Sequence, residues 1–485
     1  MGTSNAFSLV LGTVLLGGLS TAPSSTTATP IYAPLVAGNT DFALNLFDQL
    51  AGTNNNNIFF SPYSISTCFG MVYSGARGET ALQMAETLGL STNQAEVGPE
   101  FGALQAELNA QQGSDGIDLS VANGLWAQTN FPFLPAFLDN ASTNFDASVH
   151  QVNFIANASQ ITGQINDWVA DRTDGMIPNL LQPGALSPLT RLALVDAIYF
   201  NGGWQSIFDT NLTQVEPFYV SPNQFVYAPL MQQEEVARYF EDDLLQAVEL
   251  PYTNSSITMV VLLPRTNGPA AITLAEMSAA LDGLAPRPVY VILPRFKLDL
   301  TINLVPILEN MGMVDAFLPG AADFSGIDGG GDLSIGTASH EAVVDVNETG
   351  TVAAAATVII SPVGGSVLPA SFLANHPFVF LIRDTNSANI LFMGRVEDPT
   401  GGIASRVAIS KPSIQTTGGN FGIINRQFGF TVVSTNATLV VEACTNFPNG
   451  AWFPIQTLTP MNGSASFSEP LPPNSPSRFY RVHSQ

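Results

Sequence analysis

The chain has 485 residues, 46% of them hydrophobic and 11% charged, with 39 acidic side chains against 15 basic ones and a formal net charge of −24. That is enough material for one large core and a smaller appended unit. The acidic excess is spread along the chain and excludes sequence-independent attraction to phosphate backbones, so no nucleic-acid partner is expected.

Phe7 to Leu19 form a short apolar run, followed by small residues around Ser20 to Ala22 and a Pro/Ser/Thr-rich stretch to Pro34. The run is too short to span a membrane and matches a secretory signal over residues 1–22 with a linker over 23–36, although no Lys or Arg precedes it. Export to the extracellular space is the expectation. The two cysteines, Cys68 and Cys444, lie far apart in apolar surroundings and read as two buried thiols.

Phe42, Leu46 and Leu50 stand four apart, which places a core-facing helix over Asp41 to Leu50. Ile58 to Phe60 read as a short strand turning into a second helix, with Ser61 as N-cap, Pro62 in the first turn and Ile65, Cys68, Phe69 and Val72 at buried spacing. A third helix covers Thr80 to Leu88 and stops at Gly89. Strands follow: Leu192 to Phe200, the apolar run Ile257 to Leu263, and Phe296, Leu298 and Leu300 alternating with polar residues. Helices first and strands later indicate an α+β fold built on large mixed sheets. Beyond a linker at 399–415, residues 416–485 show short alternating strands, such as Thr438 to Glu442, between Asn, Gly and Pro turns. They read as a small β-sandwich, similar to modules that end some secreted bacterial proteins.

The stretch after His340 is the informative one. A strand containing Val343, Val344 and Val346 leads without a turn signal into Glu348-Thr349-Gly350-Thr351 and a run of alanines ending at Thr357. A loop, Val358 to Ala370, follows, and then an apolar hairpin, Pro377 to Ile382 with Ile390 to Val396. The alanine run suits a helix or a plain linker. It also suits a strand that must squeeze into a sheet already packed, because Thr351, Ala353, Ala355 and Thr357 would all point to the interior and all are small. Gly350 would supply the swing point.

Several separated motifs agree in order with one family. They are Asn57-Ile58-Phe59-Phe60-Ser61-Pro62, Ile198-Tyr199-Phe200-Asn201-Gly202-Gly203-Trp204, Leu293-Pro294-Arg295-Phe296, Val346-Asn347-Glu348-Thr349-Gly350-Thr351, and Asn375-His376-Pro377-Phe378 with Phe392-Met393-Gly394-Arg395. Over residues 37–398 the chain resembles the serpins. The resemblance implies a serpin fold with three β-sheets, eight to nine helices and an exposed reactive loop. It also implies an inhibitor of serine-type endopeptidases that is cleaved in that loop and traps the acyl-enzyme by inserting the freed hinge into the main sheet.

By motif position, the resemblance makes Glu348, Gly350, Thr351, Ala353, Ala355 and Thr357 the hinge. Ser61, Ser64, Asp196 and His340 become the polar cluster beneath the sheet, and Trp204 and Arg295 the point where insertion begins, with Arg295 and Glu348 an expected ion pair. The reactive bond falls within 363–368, with Val363, Gly364, Gly365 and Ser366 as candidates. That window holds no Arg or Lys, which points to elastase-like or subtilisin-like proteases, or a cysteine protease, rather than trypsin-like ones. Asp196 stands where the family has asparagine. It would either accept a hydrogen bond as asparagine does or make a charge-assisted, pH-sensitive contact with His340. Glu100 to Gln112 carry no basic residue, so no heparin-like cofactor is expected, and a monomer is. The four histidines, His150, His340, His376 and His483, fit neither a nucleophile motif nor a metal site, which leaves no cofactor, no catalytic residue and no enzyme. A serpin-fold carrier or surface-binding protein is the rival reading.

Overall fold

The structure is a computed structural model. It describes residues 29–53, 55–110, 117–330, 333–336, 338–351 and 368–401, and C-terminal segments 421–424, 427–433, 439–444, 453–459, 464–470 and 479–484. Helix α1 (Ala33–Thr53) leads through β1 (Ile58–Phe60) to α2 (Pro62–Tyr73), α3 (Gly78–Leu88) and α4 (Gln94–Asn109). Then come β2 (Ile117–Gln128), α5 (Pro135–Asn144), β3 (Ser148–Val152), α6 (Phe154–Arg172) and β4 (Leu192–Gly203). A strand-rich stretch follows with β5 (Gln214–Ser221), β6 (Gln224–Glu241), β7 (Leu245–Pro251) and β8 (Ile257–Pro264), then α7 (Leu274–Gly283), β9 (Ala285–Pro294) and β10 (Phe296–Asn303). The body closes with α8 (Val305–Asn310), α9 (Ser325–Asp328), β11 (Ser339–Asn347), β12 (Gly350–Thr351), β13 (Ala370–Leu373), β14 (Phe378–Asp384) and β15 (Ile390–Val396).

Two sheets make this body. One has nine strands in the order β1-β15-β14-β8-β7-β6-β9-β13, with β5 also paired to β6. At 18 residues β6 is long enough to pair with β5, β9 and β7 along its length, and so joins two of the expected sheets into one. Strands β8, β14 and β15 are buried almost throughout, because both faces of the sheet are covered there, and they read as unbroken apolar runs for that reason. The second sheet has the order β10-β11-β12-β4-β2-β3. Helix α2 lies between the sheets, touching β4 of one and β15 of the other.

Local chemistry starts α2 and stops α3 where the sequence predicts, whereas α1 begins at Ala33, eight residues before the expected Asp41 and inside the expected linker. Ser61 caps α2, its hydroxyl accepting from the Ser64 N–H at 3.1 Å, and Gly89 ends α3 in the left-handed region at φ 67°. Cys68 is half-buried rather than buried, on the one line of α2 that solvent reaches, since its other eleven residues are fully enclosed. A Cβ on Gly89 would come within 2.5 Å of the Gly38 carbonyl oxygen on α1. Gly89→Ala is therefore expected to cost at least about 2 kcal/mol, from left-handed strain plus backbone displacement, read as a lowered midpoint of thermal unfolding.

Six more strands follow: β16 (Phe421–Ile424), β17 (Gln427–Val433), β18 (Leu439–Cys444), β19 (Phe453–Leu458), β20 (Ser464–Pro470) and β21 (Phe479–Ser484). They form two antiparallel three-stranded sheets, β16-β17-β20 and β19-β18-β21, with Val441, Leu458 and Phe467 buried. Among the described residues no helix is long and apolar enough to cross a membrane.

Candidate functional site

The chain does not run straight from β11 into the hinge, as the sequence reading has it; it reverses. Asn347 pairs with Gly350 and Val346 with Thr351, so Glu348 and Thr349 form a two-residue turn. The Asn347 side-chain oxygen accepts from the Thr349 N–H at 3.0 Å and from its hydroxyl at 2.7 Å, and Gly350 takes φ 153°, a value almost confined to glycine. The returning strand β12 lies between β11 and β4, pairing Gly350 with Gly203 and Thr351 with Gly202. Two residues of the expected hinge thus stand as a strand in the six-stranded sheet.

Beneath them is a closed aromatic floor. Tyr252, fully buried, stacks on Trp204 with centroids 4.6 Å apart and meets Phe200 edge-on at 4.7 Å. Its hydroxyl lies 2.7 Å from the Thr351 hydroxyl. A side chain at Gly202 would strike the Tyr252 ring at 2.9 Å, so glycine there is what lets the ring lie under the sheet. The Trp204 indole N–H donates to the Asn347 carbonyl at 2.9 Å, and its backbone N–H to the Thr349 carbonyl at 3.0 Å, which fixes the reversal from below.

Arg295 and Glu348 meet at the same end. The Arg295 Nε donates to Glu348 Oε1 at 2.7 Å, and the Thr213 hydroxyl donates to the same oxygen. Burial pushes the Glu348 carboxyl up, but these donors outweigh it and hold the group below its usual range. The pair is one-sided: the Arg295 side chain is 45% exposed and that of Glu348 only 4%. Removing the cation strands a buried carboxylate, so Arg295→Ala is expected to cost about 2 kcal/mol, more than an exposed pair is worth, measured as loss of thermal stability at pH 7.

Ser61, Ser64 and His340 come together between the sheets, all buried. The Ser61 backbone N–H donates to His340 Nε2 at 3.0 Å, and the Ser61 hydroxyl donates to the Leu391 carbonyl at 2.6 Å, tying β11, the start of α2 and β15 to one another. Burial lowers the His340 pKa to about 4, so the ring is neutral and accepts through Nε2. Asp196 stands on β4 opposite Asn123. Its side chain, and so its expected contact with His340, lies outside the described residues.

Ala353, Ala355 and Thr357 of the expected hinge, and Val363, Gly364, Gly365 and Ser366 at the expected reactive bond, also lie outside the described residues. The chain resumes at Leu368, 86% exposed, and enters β13 at the edge of the nine-stranded sheet. On the far face of the six-stranded sheet, Ile161, Ile165 and Val169 of α6 share one apolar cluster with Val343 of β11 and Val195 and Ala197 of β4. Helix α6 therefore packs on that face against β2 and β4, beside the seam that β12 enters. Helix α4 carries Glu96, Glu100 and Glu107 and no basic residue. Sequence reasoning missed Tyr252 and Thr213, which no local pattern marks.

The family model for serpins, serine protease inhibitors, matches residues 37–399. Serpin B6 of Pongo abelii is 37% identical over 376 residues, covering 75% of this chain and 99% of that protein. The leukocyte elastase inhibitor of Bos taurus is 38% identical over 379 residues, with the same coverage. Among solved structures, a cleaved Serpin 42Da is similar at a TM-score of 0.66 and 28% identity, over 76% of this chain and 98% of its own. A two-residue strand at the seam of a six-stranded sheet, in a chain that matches the family along nearly its whole domain, leaves one assignment: the protein belongs to the serpin family.

Proposed function

We propose that this protein is a suicide-substrate inhibitor of a serine-type endopeptidase. The protease serine attacks a carbonyl within 363–368, the peptide bond breaks, and the new amino terminus leaves while the ester to the enzyme persists. The freed hinge then enters the six-stranded sheet between β11 and β4 and carries the acyl-enzyme with it before water can hydrolyse the ester. The observation that carries this reading is β12, whose two residues stand in the seam with antiparallel register on both sides. Continued for six residues in the inserted form, that register brings Thr357 opposite His340 and Asp196, with Ala353 and Ala355 on the same interior side as Thr351. Each new ladder hydrogen bond adds about 1 kcal/mol, so a dozen residues supply a large driving force.

Small, uncharged residues in the loop and the likeness to a leukocyte elastase inhibitor favour elastase-like or subtilisin-like targets. The N-terminal apolar run favours action outside the cell, as a monomer. The test mixes purified protein with elastase-like, subtilisin-like and trypsin-like proteases. A complex that survives denaturation, with a released C-terminal fragment beginning within 364–369, is the expected result. Clean cleavage with no complex across the panel would transfer the assignment to a non-inhibitory carrier.

A further inference from the structure

We infer that Tyr252 is a positioning residue for loop insertion: its buried phenol is a hydrogen-bonding catch for the Thr351 hydroxyl, so that the hinge enters the sheet at one register and stays there. The inference rests on the trapping reading and specifies how its first step is controlled.

Thr351 is 1% exposed and Tyr252 is fully buried, so neither hydroxyl can turn to solvent while β12 is in place. They lie 2.7 Å apart and satisfy one another. The Tyr252 ring is packed by Trp204 on its face, Phe200 at its edge and Gly202 closing on it from the sheet. If the hinge withdrew, the phenol would stay in that floor and lose its partner, while the Thr351 hydroxyl would gain water. The cost of withdrawal therefore falls on Tyr252, which makes the inserted register the favoured one. A slip by one residue would present Gly350, with no side chain, or residue 352, a valine, to the phenol. The other hydroxyl at the turn, that of Thr349, is engaged with the Asn347 side-chain oxygen at 2.7 Å, which leaves Thr351 as the one that meets the phenol from the interior face. The catch thus sets register as well as occupancy, before the featureless alanine run begins.

The experiment uses the full chain against whichever protease the parent protein traps, reading the moles of inhibitor consumed per mole of enzyme inactivated. Tyr252→Phe leaves the Thr351 hydroxyl unpaired on insertion, and Thr351→Val leaves the phenol unpaired. Each is expected to raise the ratio about two- to tenfold, the range of one buried hydrogen bond. The double variant buries two apolar groups with nothing left unpaired, and its ratio is expected to return toward the parent's. Thr351→Ser, which keeps the hydroxyl, is expected to rescue trapping relative to Thr351→Val. A double variant as poor as the product of the two singles, or single variants with the parent's ratio, would overturn the inference. Circular dichroism melts on every variant separate misfolding from mispositioning, and the Ser/Val pair keeps the test decisive if Tyr252→Phe fails to fold. Absence of any trapping by the parent would refute the functional proposal instead.

Discussion

If the protein traps its protease as proposed, Thr351→Arg is expected to abolish the denaturation-resistant complex while the loop is still cut. The position lies in β12, 1% exposed and against the Tyr252 hydroxyl, with the aromatic floor leaving no volume for a guanidinium. Burying that charge without a partner costs several kcal/mol, so the hinge is held out of the sheet and insertion starts from a disfavoured state. Deacylation by water has no such handicap. The acyl-enzyme should therefore partition to hydrolysis, and a gel of the mixture should show cleaved inhibitor and active protease in place of the complex. Persistence of complex at the parent's yield would mean that Thr351 does not lie on the insertion route.

Acidification is expected to weaken the fold through His340 in a defined window. The ring is neutral in the folded protein, with a pKa lowered to about 4 by burial, against about 6.5 when unfolded. Above pH 6.5 neither state is protonated and the contribution is fully present. As pH falls from 6.5 toward 4 the unfolded state takes up a proton that the folded state refuses, and up to about 3 kcal/mol is lost. Glu348 acts in the same direction at lower pH, since its carboxyl is held below its usual range and must protonate on acid unfolding. His340→Gln keeps an acceptor for the Ser61 N–H and cannot titrate. The difference in unfolding midpoint between parent and variant should therefore narrow steadily as pH drops from 7 to 4.5. A difference constant across that range would show that the imidazole does not titrate against burial.

Much of the site was visible in local sequence because local forces make it. Ser61 before Pro62 and Gly89 after Leu88 act through hydrogen bonds and backbone angles within one turn, and Val343, Val344 and Val346 mark a buried strand. The reversal after β11 was missed although its signals were present: Asn347 can bond the turn with its own side chain, and Gly350 can take φ 153°. A run of apolar residues on one side and small ones on the other masked them.

The caps of α2 and α3, the small residues after Glu348 and the family pattern were legible in the chain alone, because each depends on residues a few positions apart. Which groups meet across the chain emerges only once the sheets have packed. Tyr252 and Thr351 are 99 residues apart, Ser61 and His340 279 apart, and Arg295 and Glu348 53 apart. The worth of each pair depends on burial, which no local pattern encodes. The packed sheets take water away from a phenol, an imidazole and a carboxylate and leave each to the few protein groups that face it.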